Sequence, residues 1–492
     1  MKKISYTLIG ILLLCTTVSC FKDKDDEVIA ASDLEIQNFI YRAMNIWYLY
    51  KPDVPPLADD YFNTQDELDA YLNGFDTPED LFYNGLLSNN VDRFSFITDD
   101  YRELENTFAG VSKNNGMDYG LSLYPNNSSL AFGFVRLVLP GTSAEDSGVT
   151  RGMLFNTIDG ENIGTVATSG GRSLDSRAVE LLGQDSYTIG LATLDTNGDI
   201  VSTGETITLT KAEYTENPIY IAKTLDVGNE KVGYLMYNSF TSNFDGELND
   251  AFAQFKADGV TDLVLDLRYN GGGSVRTATD LAAMITGQFA GEVFSTEVWN
   301  PQIQAAFEAE EPENLNNRFN TKTSTSADIN SLNLNRVYIL TTGSSASASE
   351  LVINGLDPYI DVIQIGTTTV GKFQASTTFY DSEAPNFARD GANPNHFYAI
   401  QPLILTSANA NGVTGFVNGL DPDIEVQERI SNYGILGDPD EPLLAAALDD
   451  IDPNRSFDTV KKEEKLGPPI ELVGENGMTS PAYQRMYVDL KK

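Results

Sequence analysis

Residues 262–275 read DLVLDLRYNGGGSV. The apolar run Asp262–Leu267 predicts a strand, Asn270-Gly271-Gly272-Gly273 ends it, and helical spacing resumes over Thr277–Ile285. Outward from there, Val232–Met236 predicts the preceding strand and Phe244–Phe255 the helix between the two. Downstream, a strand at Val337–Thr341, a helix at Ser347–Leu356 and a strand at Val362–Ile365 repeat the alternation. Strand and helix in turn make an α/β layer. Within it, Gln304–Leu332 is polar and poorly periodic and is expected as a long surface insertion.

The flanks read differently. Ser32-Asp33-Leu34-Glu35 has capping-box spacing, and Ile36, Phe39, Ile40, Ala43, Met44 and Trp47 follow at helical intervals. Further helices around Glu67–Tyr71 and Pro78–Leu87 make 32–107 a helical N-terminal domain. From 108 to 212 the pattern changes to strands and turns. Its landmarks are Gly116–Leu123, a strand at Phe132–Leu139, the turn PGTSAEDSGV at 140–149 and RGMLFNTIDGENI at 151–163. This order resembles a PDZ domain. The resemblance implies that a loop at Tyr119, Gly120, Leu121 and Ser122 takes a peptide carboxylate on its N–H groups, while the adjoining strand edge adds the peptide as a further strand. Asp195-Thr196-Asn197-Gly198-Asp199 lacks the glutamate a calcium loop requires and predicts a hairpin turn. After the 213–430 core, 431–492 predicts one helix near Asp438–Ile451 and a charged, loosely ordered tail beyond 456.

Composition narrows the function. A chain of 492 residues, 41% hydrophobic, suggests about three globular domains. Seventy-one acidic against 32 basic residues give a net charge of −39, which repels phosphate backbones and excludes nucleic acid as a natural partner. The single histidine, His396, rules out a multi-histidine metal centre and disfavours a histidine-based triad. Both cysteines, Cys15 and Cys20, precede residue 21, so the body of the chain has no disulfide, thiol nucleophile or cysteine metal site. No metal and no cofactor are expected.

Lys2 and Lys3 followed by the apolar run Ile4–Cys15 form a signal peptide over 1–19, too short to anchor permanently. It resembles a bacterial lipoprotein signal, which implies lipidation of Cys20 and an outer-membrane address in the cell envelope. Residues 20–31 then form an acidic tether, and Lys22–Glu27 resembles the surface-export signal of Bacteroidetes-type lipoproteins.

Three pieces of the α/β layer carry chemistry together. The glycine run frees backbone N–H groups toward a ligand at a helix start. The strand VYILTT leads into Gly343-Ser344-Ser345-Ala346-Ser347-Ala348-Ser349-Glu350, a strand-to-helix turn of small residues that leaves room for a nucleophile. Thr369-Val370-Gly371-Lys372 follows, with Lys372 placed 25 residues after Ser347. With GLDPDI at 419–424, these motifs resemble the C-terminal processing (tail-specific) serine proteases over roughly 110–430. The resemblance implies an α/β multidomain fold in which a PDZ-like β-rich domain precedes a crotonase/ClpP-like peptidase core. It implies Ser347 as nucleophile, Lys372 as general base, and an oxyanion hole from the N–H groups of Ala348 and Gly272. The glutamine that relatives carry four residues after the lysine is replaced by Ser376, with Gln374 two residues earlier, so both are candidates for orienting the base. The function implied is a cell-envelope serine endopeptidase acting on proteins or peptides with free C-termini, held to the membrane by a lipid anchor. The alternative is a catalytically inactive, ligand-binding lipoprotein of the same fold. Acyl-thioester chemistry of the crotonase kind is disfavoured by the signal peptide, since acyl-CoA is cytoplasmic.

Overall fold

The computed structural model describes residues 31–168, 171–455, 470–480 and 483–490. The expected signal peptide, Cys20 and the acidic tether lie outside these residues.

The strand Asp262–Asp266 is wholly buried and sits inside a six-stranded sheet. Its order is Ile219–Val227, Glu230–Tyr237, Asp262–Asp266, Arg336–Thr341, Asp361–Gly366 and Ile424–Glu425. The first pair is antiparallel and the remainder are parallel, as strands linked by helical crossovers must be. Val275–Ile285 and Ala348–Leu356 join the larger core on one face, while Leu443, Leu444, Ala447 and Leu448 of Pro442–Ile451 pack on the other. Both faces are therefore apolar, and the turns that carry Asn270–Gly273 and Ser344–Ser347 emerge at the carboxyl ends of the strands.

The helix Asp33–Trp47 starts at the Ser32 capping box with Glu35, and all six of its expected apolar positions are buried. Its core is continuous with that of the α/β layer. Trp47 stacks on Phe379 with ring centroids 5.8 Å apart, and its indole N–H donates to the Pro385 carbonyl at 2.7 Å. The helix expected over Pro78–Leu87 makes one α-turn, Pro78–Asp80, and then widens into a π-helix over Leu81–Leu86.

Residues 111–210 form the β-rich unit, with its own core around Leu121, Phe155, Ile189 and Leu209. The Asp195–Asp199 turn joins Ser186–Leu194 to Ile200–Thr210 as a hairpin.

Gln304–Leu332 carries secondary structure of its own: it holds most of the helix Pro301–Glu310 and the strand Asn316–Arg318, which pairs with Val293–Trp299. Phe319 is buried there among Phe289, Phe294 and Tyr359. Two expectations are corrected. Tyr119–Ser122 is not a loop but the middle of the strand Met117–Tyr124, because Leu121 and Tyr119 point into the core. The tail is not loose over 470–480 and 483–490. Leu472–Glu475 adds antiparallel to Met117–Tyr124, and Met486–Tyr487 adds parallel to Gly273–Ser274.

Candidate active site

Ser347 and Lys372 sit on neighbouring strand-to-helix and strand-to-strand turns, and both are fully buried at 0% exposure. Ser347 has φ +69° and ψ −114°, a conformation a non-glycine residue rarely adopts and one that neighbouring structure must impose. What imposes it is Glu350. One carboxylate oxygen accepts from the Ser347 N–H at 2.6 Å and the Lys372 N–H at 2.9 Å. The other accepts from the Thr369 hydroxyl and the Gly371 N–H, each at 2.6 Å. A single buried side chain thus ties the turn of Ser347 to the turn of Lys372. Burial pushes the Glu350 carboxyl up, and the four donors pull it back. Sequence reading assigned Glu350 no role, although its Ser-x-x-Glu spacing was visible. Glu350→Ala is expected to leave the chain folded but lower kcat by about 10²-fold with little change in KM, the cost of misplacing reacting groups by roughly 1 Å. Glu350→Gln is expected to lose less; steady-state kinetics checks both.

Asn270 ties the glycine run into the same unit. Its side-chain amide donates to the Tyr237 carbonyl at 2.7 Å, and its backbone carbonyl accepts from the Ala346 N–H and the Ser349 hydroxyl. Gly272, at φ +111°, lies against the nucleophile: a Cβ there would stand 2.6 Å from the Ser347 Cβ. No other residue fits. The Gly272 N–H, expected as an oxyanion donor, here donates to the Asn270 side-chain oxygen at 2.9 Å. Ala348 is the first residue of its helix, where amides have no intrahelical partner.

The Lys372 amine donates to the Gln484 carbonyl at 2.7 Å and lies 4.9 Å from the centre of the Phe94 ring. Burial, aided by the nearby Arg485 cation, holds its pKa well below the ordinary lysine value despite Asp92 and Glu350. Burial thus favours the neutral amine over the ammonium. Ser347 Oγ has no hydrogen-bond partner among the described residues, so Ser347 and Lys372 are not bonded to each other through their side chains.

The two candidates for orienting the base do so through neither of their observed bonds. The Gln374 amide donates to the Tyr50 hydroxyl at 2.9 Å, and the Ser376 hydroxyl bonds Gln401 and the Met486 carbonyl. Both side chains lie on the buried strand Gln374–Ser376. His396 bonds Asp381 and the Tyr398 N–H, neither part of this site. Tyr119, Gly120, Leu121 and Ser122 lie on the β-rich unit, where Leu472–Glu475 covers their edge. Sequence reading also missed Phe94 and Phe96, which bring the N-terminal segment against the catalytic pocket. Their alternation in Phe94-Ser95-Phe96 was the available sign. Among the described residues, no group of acidic, histidine or cysteine side chains is arranged to hold a metal ion.

Comparison with known proteins agrees with this geometry. Residues 231–426 match the model of peptidase family S41, and residues 35–96 match the peptidase S41 N-terminal domain. The carboxyl-terminal-processing protease of Picosynechococcus is 27% identical over 318 residues, 64% of this chain and 66% of that protein. The carboxyl-terminal-processing protease of Synechocystis is 23% identical over 352 residues, 71% of this chain and 70% of that one. The chain thus spans about two thirds of these relatives' length. A crystal structure from Bacteroides fragilis, assigned to the S41 proteases, superposes with a TM-score of 0.62 at 26% identity, covering 86% of this chain and 98% of that one. With the glycine run, the strained serine and the buried lysine all inside the matched segment, the chain belongs to peptidase family S41, the serine peptidases that include the carboxyl-terminal-processing proteases.

Proposed function

We propose that the chain is a cell-envelope serine endopeptidase that takes protein or peptide C-termini on a PDZ-like module and cleaves through Ser347 and Lys372. The observation that carries this reading is the buried amine of Lys372, held below its ordinary pKa on a turn that Glu350 fastens to the strained Ser347. Ser347 Oγ attacks the substrate carbonyl carbon while its proton passes to the neutral amine. The developing oxyanion takes hydrogen bonds from the Ala348 N–H and from the glycine run, where Gly272 exchanges its Asn270 contact for the substrate oxygen; each donor is worth about 3–4 kcal/mol. Collapse breaks the C–N bond, and the lysine ammonium returns the proton to the leaving amine. Water then attacks the acyl-serine ester with the lysine again as base. Lipidation at Cys20 supplies the membrane anchor.

Substrate choice follows from the strand Met117–Tyr124, whose edge, paired here with Leu472–Glu475, suits an added peptide strand in that segment's place, with an apolar last side chain against Leu121 and Leu123. The test compares one peptide as its free acid, its C-terminal amide and a version ending in two aspartates. The amide is expected to be cleaved about ten-fold more slowly or worse, the loss of a charge-assisted hydrogen bond. The aspartate tail should also be disfavoured at low salt by the chain's net charge of −39. Equal rates for acid and amide would show that C-termini are not selected. The inactive-protein reading draws on the Lys372 amine bonding Gln484 instead of Ser347. Labelling of Ser347 by a serine-reactive phosphonate would remove it.

A further inference from the structure

The strand edge and the catalytic cleft are both filled, and by the same segment. Along Met117–Tyr124, Leu472 pairs with Ser122, Gly474 with Leu121 and Glu475 with Gly120. The Asn476 N–H donates to the Tyr119 carbonyl at 2.9 Å, and the Leu123 N–H to the Glu471 carbonyl at 3.1 Å. Glu475, itself buried, accepts from Arg136 and from the Ser344 hydroxyl, each at 2.5 Å, and from the Tyr483 hydroxyl. Ser344 lies on the nucleophile's own turn. The segment then reaches the cleft. The Gln484 carbonyl accepts a hydrogen bond from the Lys372 amine at 2.7 Å, and the Arg485 carbonyl lies 2.5 Å from where a Cβ on Gly272 would stand. The Arg485 side chain lies over Phe96 at 4.2 Å. Met486–Tyr487 runs as a strand between Gly273–Ser274 and Gln374–Ser376, with the Val488 N–H donating to the Ser376 carbonyl at 3.0 Å.

We propose that the C-terminal stretches 470–480 and 483–490 together act as an intramolecular ligand of both peptide-binding surfaces, and that substrate reaches Ser347 only by displacing them. This rests on the peptidase reading above. Two features make the segment an inhibitor and not a substrate. It uses Lys372 as a donor to Gln484, leaving Ser347 Oγ with no acceptor for its proton. It also runs past Tyr119 without ending there, so no terminal carboxylate occupies the strand edge. In addition, Gln484 adopts φ +51°, outside the extended backbone of a peptide held for attack.

Deleting the segment outright risks unfolding, since Met486 is 1% exposed and belongs to the main core. The chain is therefore folded intact, with a site-specific protease sequence inserted between Asp458 and Lys465, then nicked and diluted. On tail dissociation, hydrolysis of casein is expected to rise about ten-fold or more, the factor by which an occupied site lowers the competent fraction. A synthetic peptide of residues 470–490 should return the rate to that of uncut chain, and the same peptide carrying Glu475→Gln should need about ten-fold more. In a Ser347→Ala background, fluorescein-labelled 470–490 peptide should bind the nicked, tail-free chain by anisotropy and be competed by a free-acid peptide. Equal rates before and after dissociation, no binding of the labelled peptide, or a tail that stays bound through dilution and excess competitor would each overturn the proposal. Binding without hydrolysis of any substrate by any form would sustain the tail's role and overturn the peptidase reading.

Discussion

Ser347→Ala and Lys372→Met are each expected to lower peptide hydrolysis by roughly 10³-fold or more, and the double variant to be little worse than either, because the two act as one unit. His396→Ala should keep most of the activity, since among the described residues its ring bonds Asp381 and the Tyr398 amide, neither of which touches Ser347 or Lys372. The pH profile carries a further sign. Only the neutral amine accepts the serine proton, so the rate should climb with pH through the depressed pKa of Lys372 and then level off. A rate that peaked in acid would contradict a lysine base. Stability should follow the same group. As pH falls below the ordinary lysine value, the unfolded chain takes up a proton that the folded site refuses, so this lysine increasingly destabilises the fold down to its depressed pKa. Lys372→Met lacks that slope. Its Tm should match the parent's in strong alkali and exceed it near neutrality, which separates lost chemistry from lost folding.

Arg268→Met is expected to cost about 3–5 kcal/mol of folding stability in a urea titration. The guanidinium is fully buried two residues before Asn270. It donates to Asp266 at 2.9 Å, to both oxygens of Glu441 at 2.6 and 2.9 Å, and to Glu428 at 3.0 Å. Removing it strands Asp266 and Glu441 in the interior, while Arg151 still reaches Glu428 at 2.8 Å. Although burial favours its neutral form, Glu428 is held down to about 2 by Arg151 and Arg268, so it stays charged through the ordinary range. Pairing Arg268→Met with Glu441→Leu should recover a large part of the loss. If the single variant were as stable as the parent, the cluster would be solvated in a way its burial denies.

Local patterns announced most of the scaffold. The Ser32–Glu35 cap, the core strands and the glycine run each owe their conformation to neighbours in sequence, and their periodicities survive in the fold. Ser347 and Lys372 were legible because their turns carry distinctive small residues. Glu350 was not, because its importance lies in reaching Thr369, Gly371 and Lys372 across the fold, beyond any spacing rule. Tyr119–Ser122 was misread as a loop because glycine suggests a turn. Here Gly120 instead makes room for the Phe134 ring, which would stand 2.3 Å from a Cβ. The docked tail was hidden for a related reason: its strands are two to four residues long and take their partners from residues hundreds of positions earlier.

Phe94 belongs to the N-terminal segment, yet it forms part of the wall around the lysine amine, while Phe96 lies against the neighbouring Arg485. The dielectric environment of the base is therefore supplied by a part of the chain that contributes no reacting atom. A catalytic core excised at residue 213 would keep its serine, its lysine and its glycine run but open that wall to water. Hydration would weaken the desolvation that lowers the Lys372 pKa and favour its ammonium. The helical N-terminus and the α/β layer thus share one microenvironment across their boundary.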